Sequence, residues 1–222
     1  MAPKVPPRRP LSGSQARAER TRAMVIDETV RCVLEEGFVA ASAKHITERA
    51  GVTWGVIQYH FGDRAGLLMA VIDQGYSQFL DALRNVQPAM ATAAGRDKIE
   101  LLVNAAWEAF SSPTSLAASE ILIATRTDRS VLEQSHLTEL LLELTNLGRY
   151  VSDRLDPVHA DKIGELIWTA LDGALLAQMV VGATADTTRQ RQALIDVLAV
   201  YIAAHESNSG RPRRRLRTAE RK

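Results

Sequence analysis

Residues 42–61 read Ser-Ala-Lys-His-Ile-Thr-Glu-Arg-Ala-Gly-Val-Thr-Trp-Gly-Val-Ile-Gln-Tyr-His-Phe, and this stretch decides the fold. Ser42 is a strong N-cap type, because its hydroxyl can accept from an unpaired amide in the first turn of a helix. The helix it starts runs to Ala50, with Ala43, Ile46 and Ala50 facing inward. Gly51 then supplies a tight turn, Val52 plugs into the core, and Thr53 caps a second helix that ends at Phe61, with Ile57 and Phe61 facing the core. Two short helices joined by Ala-Gly-Val form a helix-turn-helix.

The chemistry of such a unit follows from its geometry. The first short helix crosses a nucleic-acid backbone, and the start of the second enters the major groove, so Thr53, Trp54 and Gly55 point toward bases. Gly55 lowers helix propensity but lets the backbone approach closely. Gln58 can read adenine through two hydrogen bonds, whereas Tyr59 and His60 can bond to phosphates.

Working outward, nearly every other segment has helical period. Ile26, Val30, Val33, Leu34 and Phe38 form one stripe that Gly37 terminates. Asp63 is placed to cap a helix carrying Leu67, Leu68, Val71, Ile72, Phe79, Leu80 and Leu83. Asn85 to Gly95, containing Pro88, reads as a linker, and a helix with Ile99, Leu102, Val103, Ala106 and Phe110 follows until Pro113 breaks it. A shorter helix from Ser115 to about Arg126 and a long one marked by Leu137, Leu140, Leu141, Leu144, Leu147, Val151 and Leu155 come next. Pro157 opens a helix ending at Gly182, and the last carries Leu194, Val197, Leu198, Tyr201 and Ile202. No segment alternates with period two. The expectation is an all-α fold of about nine helices, divided into a disordered arm (1–15), a helix-turn-helix domain (16–62), a larger helical domain (63–205) and a disordered tail (206–222).

Charge is segregated along the 222 residues. The formal net charge is +1, yet residues 1–22 and 206–222 each carry net +5, which leaves −9 on the body between them. Basic ends on an acidic body suit an anionic polymer, since Lys and Arg gain by displacing its counterions, and charge alone equally suits tails that only solubilise the chain. Arg8 and Arg9 could enter a minor groove next to the helix-turn-helix. The single Cys32 cannot form an intramolecular disulfide, no apolar run of about 18 residues suggests a membrane span, and the N-terminal charges lack the apolar stretch of a secretory signal. A reducing cytoplasm is the expected compartment, without membrane association.

The run from Gly37-Phe38 through Ile46-Thr-Glu-Arg-Ala-Gly-Val-Thr53 to Tyr59-His-Phe-Gly-Asp-Arg-Ala-Gly-Leu-Leu68 resembles the DNA-binding domain of tetracycline-repressor-type (TetR-family) transcriptional regulators. The resemblance covers about residues 18–70. It implies three DNA-binding helices, a helical domain that binds a small effector, and a homodimer formed by the last two helices on a double-stranded operator. By position it implies that Thr53, Tyr59 and His60 contact phosphates, that Lys44 approaches the backbone with the helix capped by Ser42, and that Arg64 replaces a usual Lys as a further phosphate contact. Gln58, where a Tyr is common, and the bulky Trp54 depart from the pattern, so the operator sequence does not follow by analogy.

In the larger domain, Trp107, Phe110, Ile123 and Trp168 are candidates to line an effector cavity, with Glu120, Asn146 and Gln178 as polar groups. Leu144 and Arg126 are secondary candidates. Gly164, Leu171, Ala174, Leu194, Val197, Leu198 and Tyr201 are candidates for a dimer interface of small and apolar residues. An architectural DNA-binding protein without effector shares the same DNA-facing residues. An enzyme is disfavoured: no phosphate loop, nucleophile elbow or Cys-x-x-Cys pair occurs, the five His are scattered, and Cys32 reads as a buried inert thiol. No catalytic residue, metal site or cofactor is expected.

Overall fold

The computed structural model describes residues 11–127, 142, 146–152, 154–181 and 186–206. Among them are eight α-helices, one short 3-10 helix and no strand: α1 (Leu11–Glu36), α2 (Ala43–Ala50), α3 (Trp54–Phe61), α4 (Arg64–Thr92), α5 (Gly95–Phe110), α6 (Pro113–Ala124), the 3-10 helix (Asn146–Tyr150), α7 (Pro157–Val181) and α8 (Thr188–Glu206). The described chain forms two compact units. One holds residues up to Leu80 and from Ala109 onward in α5 and α6; the other holds Asp81–Glu108 and the described residues beyond position 138.

The first unit is built around α1. Val25, Ile26, Val30 and Val33 are buried, together with Ile46 of α2, Ile57 of α3, Leu67, Leu68, Val71 and Ile72 of α4, and Ile121 of α6. α1 packs against both α2 and α6. Leu34, expected in the apolar stripe, is 40% exposed, because it stands one step off the i, i+4, i+7 line of Ile26, Val30 and Val33. On the far side Phe79 of α4 meets Phe110 at 5.0 Å between ring centroids, a tilted contact of the kind aromatic rings prefer.

Local chemistry accounts for the helix ends here. Ser42 Oγ accepts from His45 N at 3.2 Å and Asp63 Oδ1 accepts from Gly66 N at 2.8 Å, so both caps act as expected. Gly51 sits at φ 63°, a left-handed conformation that costs a side-chain-bearing residue about 1 kcal/mol. Gly66 is required for a different reason. A Cβ there would lie 1.9 Å from the Phe61 carbonyl oxygen, so the end of α3 rests directly on the first turn of α4. Val52 is half-buried rather than buried.

In the second unit, Ile163, Ile167, Leu171 and Leu175 of α7 are buried, as are Leu194, Ile195, Leu198 and Ile202 of α8 and Leu147 of the 3-10 helix. α7 packs on both of these partners. Asp156 caps α7 by accepting from His159 N at 3.1 Å, with Pro157 in the first turn, where its missing N–H does no harm. Among the described residues α7 is long and apolar enough, by length and composition, to cross a bilayer, which modifies the expectation that no such run exists. Its buried side belongs to a helical core, and Lys162, Glu165 and Asp172 interrupt the exposed side.

Several expectations are corrected. α4 continues through Pro88 to Thr92 instead of yielding to a linker, because proline removes one helical hydrogen bond without preventing those on either side. Pro113 starts α6 behind the Ser112 cap, as well as following the end of α5. Residues 146–150, expected in a long α-helix, form the 3-10 turn. The expected arm is helical from Leu11, since residues 11–15 contain no proline and the helix-breaking Gly13 stands alone, and the expected tail is still helical at Glu206. The rest of the arm and tail, Arg8, Arg9, Leu137, Leu140, Leu141, Leu144 and Gly182 lie outside the described residues.

Replacing Gly66 by alanine is expected to destabilise the protein by about 2 kcal/mol or more, because backbone must move to admit the methyl. Asp63→Ala is expected to cost about 1 kcal/mol through the lost cap. Urea unfolding of the two variants beside the wild type checks the order; a Gly66→Ala midpoint equal to wild type would contradict the contact.

Candidate nucleic-acid interface

α3 is amphipathic over only eight residues. Ile57 is fully buried, whereas Thr53, Trp54, Gly55, Gln58 and Tyr59 are exposed, with Trp54 at 44% and Tyr59 at 80%. Positions 54, 55 and 58 share one face of a helix by the i, i+1, i+4 relation. Exposed Trp and Tyr on such a short helix form a surface that folding leaves unused. His60 is half-buried and meets Tyr59 edge-on at 4.8 Å. Phe61, expected in the core, is half-buried, with the Arg22 guanidinium 5.4 Å from its ring centroid.

Thr53 has the extended backbone of an N-cap, but its side chain makes no cap hydrogen bond. This corrects the expected cap and leaves the hydroxyl available at the mouth of the helix, next to the amides of the first turn, where phosphate oxygens bind well. At Gly55 an added Cβ would meet nothing nearer than Thr53 Oγ1 at 3.7 Å. The glycine therefore serves no packing need of the protomer and leaves a low point on the exposed face.

α2 positions this face. Arg49 of α2 donates from Nε to Glu28 at 2.6 Å, from Nη2 to Glu35 at 2.7 Å and from Nη1 to Glu36, all on α1. These bonds raise Arg49 further above its ordinary value, Glu35 contributing most, so the guanidinium is a permanent charge between the helices. Arg49 in turn holds the Glu36 carboxyl below its usual range, helped by the His45 contact at 2.9 Å. Arg49 was not singled out in the sequence, since its partners stand 13 to 21 residues away.

Lys44, near the start of α2, projects into solvent with its side chain 86% exposed and only a loose 3.8 Å approach to Glu48. Ser42 is exposed, and its hydroxyl is engaged in the cap. Arg64 differs from expectation. Its Nε donates to the Ala41 carbonyl at 2.8 Å, its Nη2 reaches the Phe38 carbonyl at 3.5 Å, and the guanidinium lies 4.8 Å from the Phe38 ring centroid. Burial lowers Arg64 from its ordinary value. The side chain ties the 37–42 loop to the start of α4 rather than reaching outward for a phosphate.

The expected effector residues are distributed over both units. Glu120 of α6 accepts from Phe38 N at 2.6 Å and so belongs to the α1–α6 contact. Phe110 packs on Phe79, and Ile123 is 43% exposed. In the second unit Trp107 is buried with the Arg191 guanidinium 5.3 Å from its ring centroid. Asn146 and Trp168 are half-buried, and the Gln178 Oε1 is buried without a hydrogen-bond donor among the described residues. A groove of about 490 Å³ in this unit is lined by Val86, Asp97, Glu100, Leu101, Asn104, Ala105 and Glu108, none of them singled out in the sequence. Of the expected interface residues, Gly164, Leu171, Leu194 and Leu198 are buried inside the protomer, Ala174 and Tyr201 are half-buried, and Val197 is 58% exposed.

Residues 25–71 match the model of bacterial regulatory proteins of the tetR family. The chain is 27% identical over 169 residues to the HTH-type transcriptional regulator BetI of Escherichia coli K12, covering 76% of this chain and 87% of BetI. Its fold is similar to that of the multidrug binding protein EbrR, crystallised with imidazole, at TM-score 0.57 and 22% identity, covering 81% of this chain and 89% of EbrR. A Mesorhizobium loti chain described as a TetR-family regulator aligns at TM-score 0.66 and 15% identity, covering 85% and 98% of the two chains. The matched segment runs from the middle of α1 into the first turns of α4 and includes the exposed face of α3, and over these residues the chain is similar to the helix-turn-helix DNA-binding domain of tetR-family transcriptional regulators.

Proposed function

We propose that this protein represses transcription by binding a palindromic operator as a homodimer, and that a small, largely apolar effector releases it. The observation that carries the reading is the exposed face of α3, where Thr53, Trp54, Gly55, Gln58 and Tyr59 stand clear of the core around Ile57. In this reading Trp54 and the open backbone at Gly55 meet base edges, and Gln58 reads adenine. Thr53, Tyr59, His60 and Lys44 bond to phosphates and set the register. Arg64 and Ser42 act indirectly, by holding the loop and the helix from which these side chains project.

The proposed dimer uses the outward sides of α7 and α8. Leu166, Leu176, Val180, Val197 and Val200 are each at least 45% exposed, and Gly173 leaves open space where a second helix could approach. These residues replace the buried Gly164, Leu171, Leu194 and Leu198 as the proposed contact. Two recognition helices related by a two-fold axis would read half-sites about one DNA turn apart.

Effector binding is proposed for the second unit, and the buried, donorless oxygen of Gln178 supports it. Such an atom costs stability unless a ligand or water supplies a hydrogen. Release requires only a difference in affinity between two conformations. Weakening operator binding 100-fold takes about 2.7 kcal/mol of coupling.

Selection from random and genomic duplexes at about 150 mM salt, where purely electrostatic binding is weak, is expected to recover a palindrome. Recovery of no sequence preference would count against the operator reading. On the selected duplex, Lys44→Gln is expected to reduce the slope of log K against log salt by about 1. Arg64→Gln is expected to lower thermal stability and leave that slope unchanged; a reduced slope would return Arg64 to the phosphate contacts. Gln178→Leu is expected to leave stability equal or higher while abolishing the thermal shift given by compounds that release wild-type protein from DNA.

A further inference from the structure

Cys32 and Glu36 lie one turn apart on α1, and His45 stands in the first turn of α2. Cys32 Sγ, a Glu36 carboxylate oxygen and a His45 ring nitrogen all lie within 4.8 Å of one another. Cys32 is fully buried, and its thiol makes no hydrogen bond among the described residues. Glu36 and His45 form the outer edge, with side chains 38% and 37% exposed. A soft sulfur at the back, an imidazole and a carboxylate at the rim, and an opening to solvent together constitute an unusual group to find at a helix–helix junction by packing alone.

We propose that Cys32, Glu36 and His45 bind a zinc-type divalent cation, with water as the fourth ligand. Thiolate, imidazole and carboxylate are the donors that Zn²⁺ takes in tetrahedral sites, whereas Mg²⁺ and Ca²⁺ favour all-oxygen shells. With Zn–ligand bonds of about 2.0–2.3 Å, tetrahedral donor atoms lie roughly 3.3–3.8 Å apart, so closure requires a movement of about 1 Å. Rotation of the half-exposed Glu36 and His45 side chains can provide it. Binding displaces one proton from the Cys32 thiol to solvent and exchanges the Glu36–His45 hydrogen bond for two bonds to the ion.

Two features of the surroundings favour a cation. Among the described residues, Glu28, Glu35 and Glu36 pair with the cations Arg31 and Arg49 besides the His45 contact, an excess of one negative charge, counting His45 as neutral, that becomes two when the thiol proton leaves. A divalent ion neutralises the group. Arg49 also retains Glu28 and Glu35 when Glu36 turns to the ion, so the contact between α1 and α2 is kept. The second feature is that Glu36 is the last residue of α1, where the partial negative charge of the helix end attracts cations. The site depends neither on the operator nor on the effector.

The test uses full-length protein freed of metal by chelation and titrated with Co²⁺, a spectroscopic stand-in for Zn²⁺. Because the chain holds one cysteine, a thiolate-to-cobalt charge-transfer band can arise within a protomer only at Cys32. The expected result is that this band saturates at one equivalent and disappears on adding Zn²⁺. It is lost in Cys32→Ser, and His45→Gln weakens Co²⁺ binding at least about tenfold while keeping the wild-type helical circular dichroism. Absence of the band in the wild type, or an affinity unchanged in His45→Gln, would overturn the proposal even if Cys32→Ser fails to fold.

Discussion

The recognition surface depends on a single guanidinium. Arg49 is the point at which α2 is fixed to α1, through Glu28 and, two turns further along, Glu35 and Glu36. Apolar burial at Ile46 and Ile57 holds α2 and α3 against the unit, but hydrophobic contact is non-directional and tolerates rotation. Three charge-assisted bonds from one planar fork do not. Because α3 follows α2 after the Gly51 turn, the direction in which Trp54 and Gln58 project is inherited from this ion-pair group. The same carboxylates bring Cys32 and His45 together, so orientation and metal chemistry share one set of side chains.

A second constraint runs from α6. Glu120 accepts from the Phe38 amide, while Arg64 binds the carbonyls of Phe38 and Ala41. The loop between α1 and α2 is thus held from both sides, by an acceptor on α6 and a donor on α4. A displacement of α6 would withdraw the acceptor from a backbone N–H that has no helical partner of its own. This gives α6 a direct hold on the DNA-binding helices without a long chain of intermediates.

What could be read from the sequence was what is local. The Ser42 cap, the Gly51 turn, the buried Ile46 and Ile57, and the Asp63 cap each involve residues within four positions, and all follow from capping and periodicity. Arg49 and Arg64 were illegible in detail because their partners lie far away in the chain, and a surface arginine and an interhelical one look the same in isolation. α7 and α8 were difficult for another reason. Both sides of each helix are apolar, so periodicity alone could not separate Leu171 and Leu198, which are buried, from Leu176 and Val197, which are not. Trp107 and Phe110 follow helical spacing whether they line a cavity or fill a core, so spacing alone does not assign them to an effector site.

Gly55 carries a consequence for how this protein can change. A glycine inside a helix forfeits about 1 kcal/mol relative to alanine, and here nothing in the protomer requires it, since an added methyl meets only the Thr53 hydroxyl. Most single substitutions on a recognition helix must risk folding in order to alter contact. At position 55 the two are decoupled: almost any small side chain would strengthen the helix while adding new atoms to its outward face. Operator preference could therefore drift at this site without crossing a stability threshold, which makes the least substantial residue of the helix its most adaptable one.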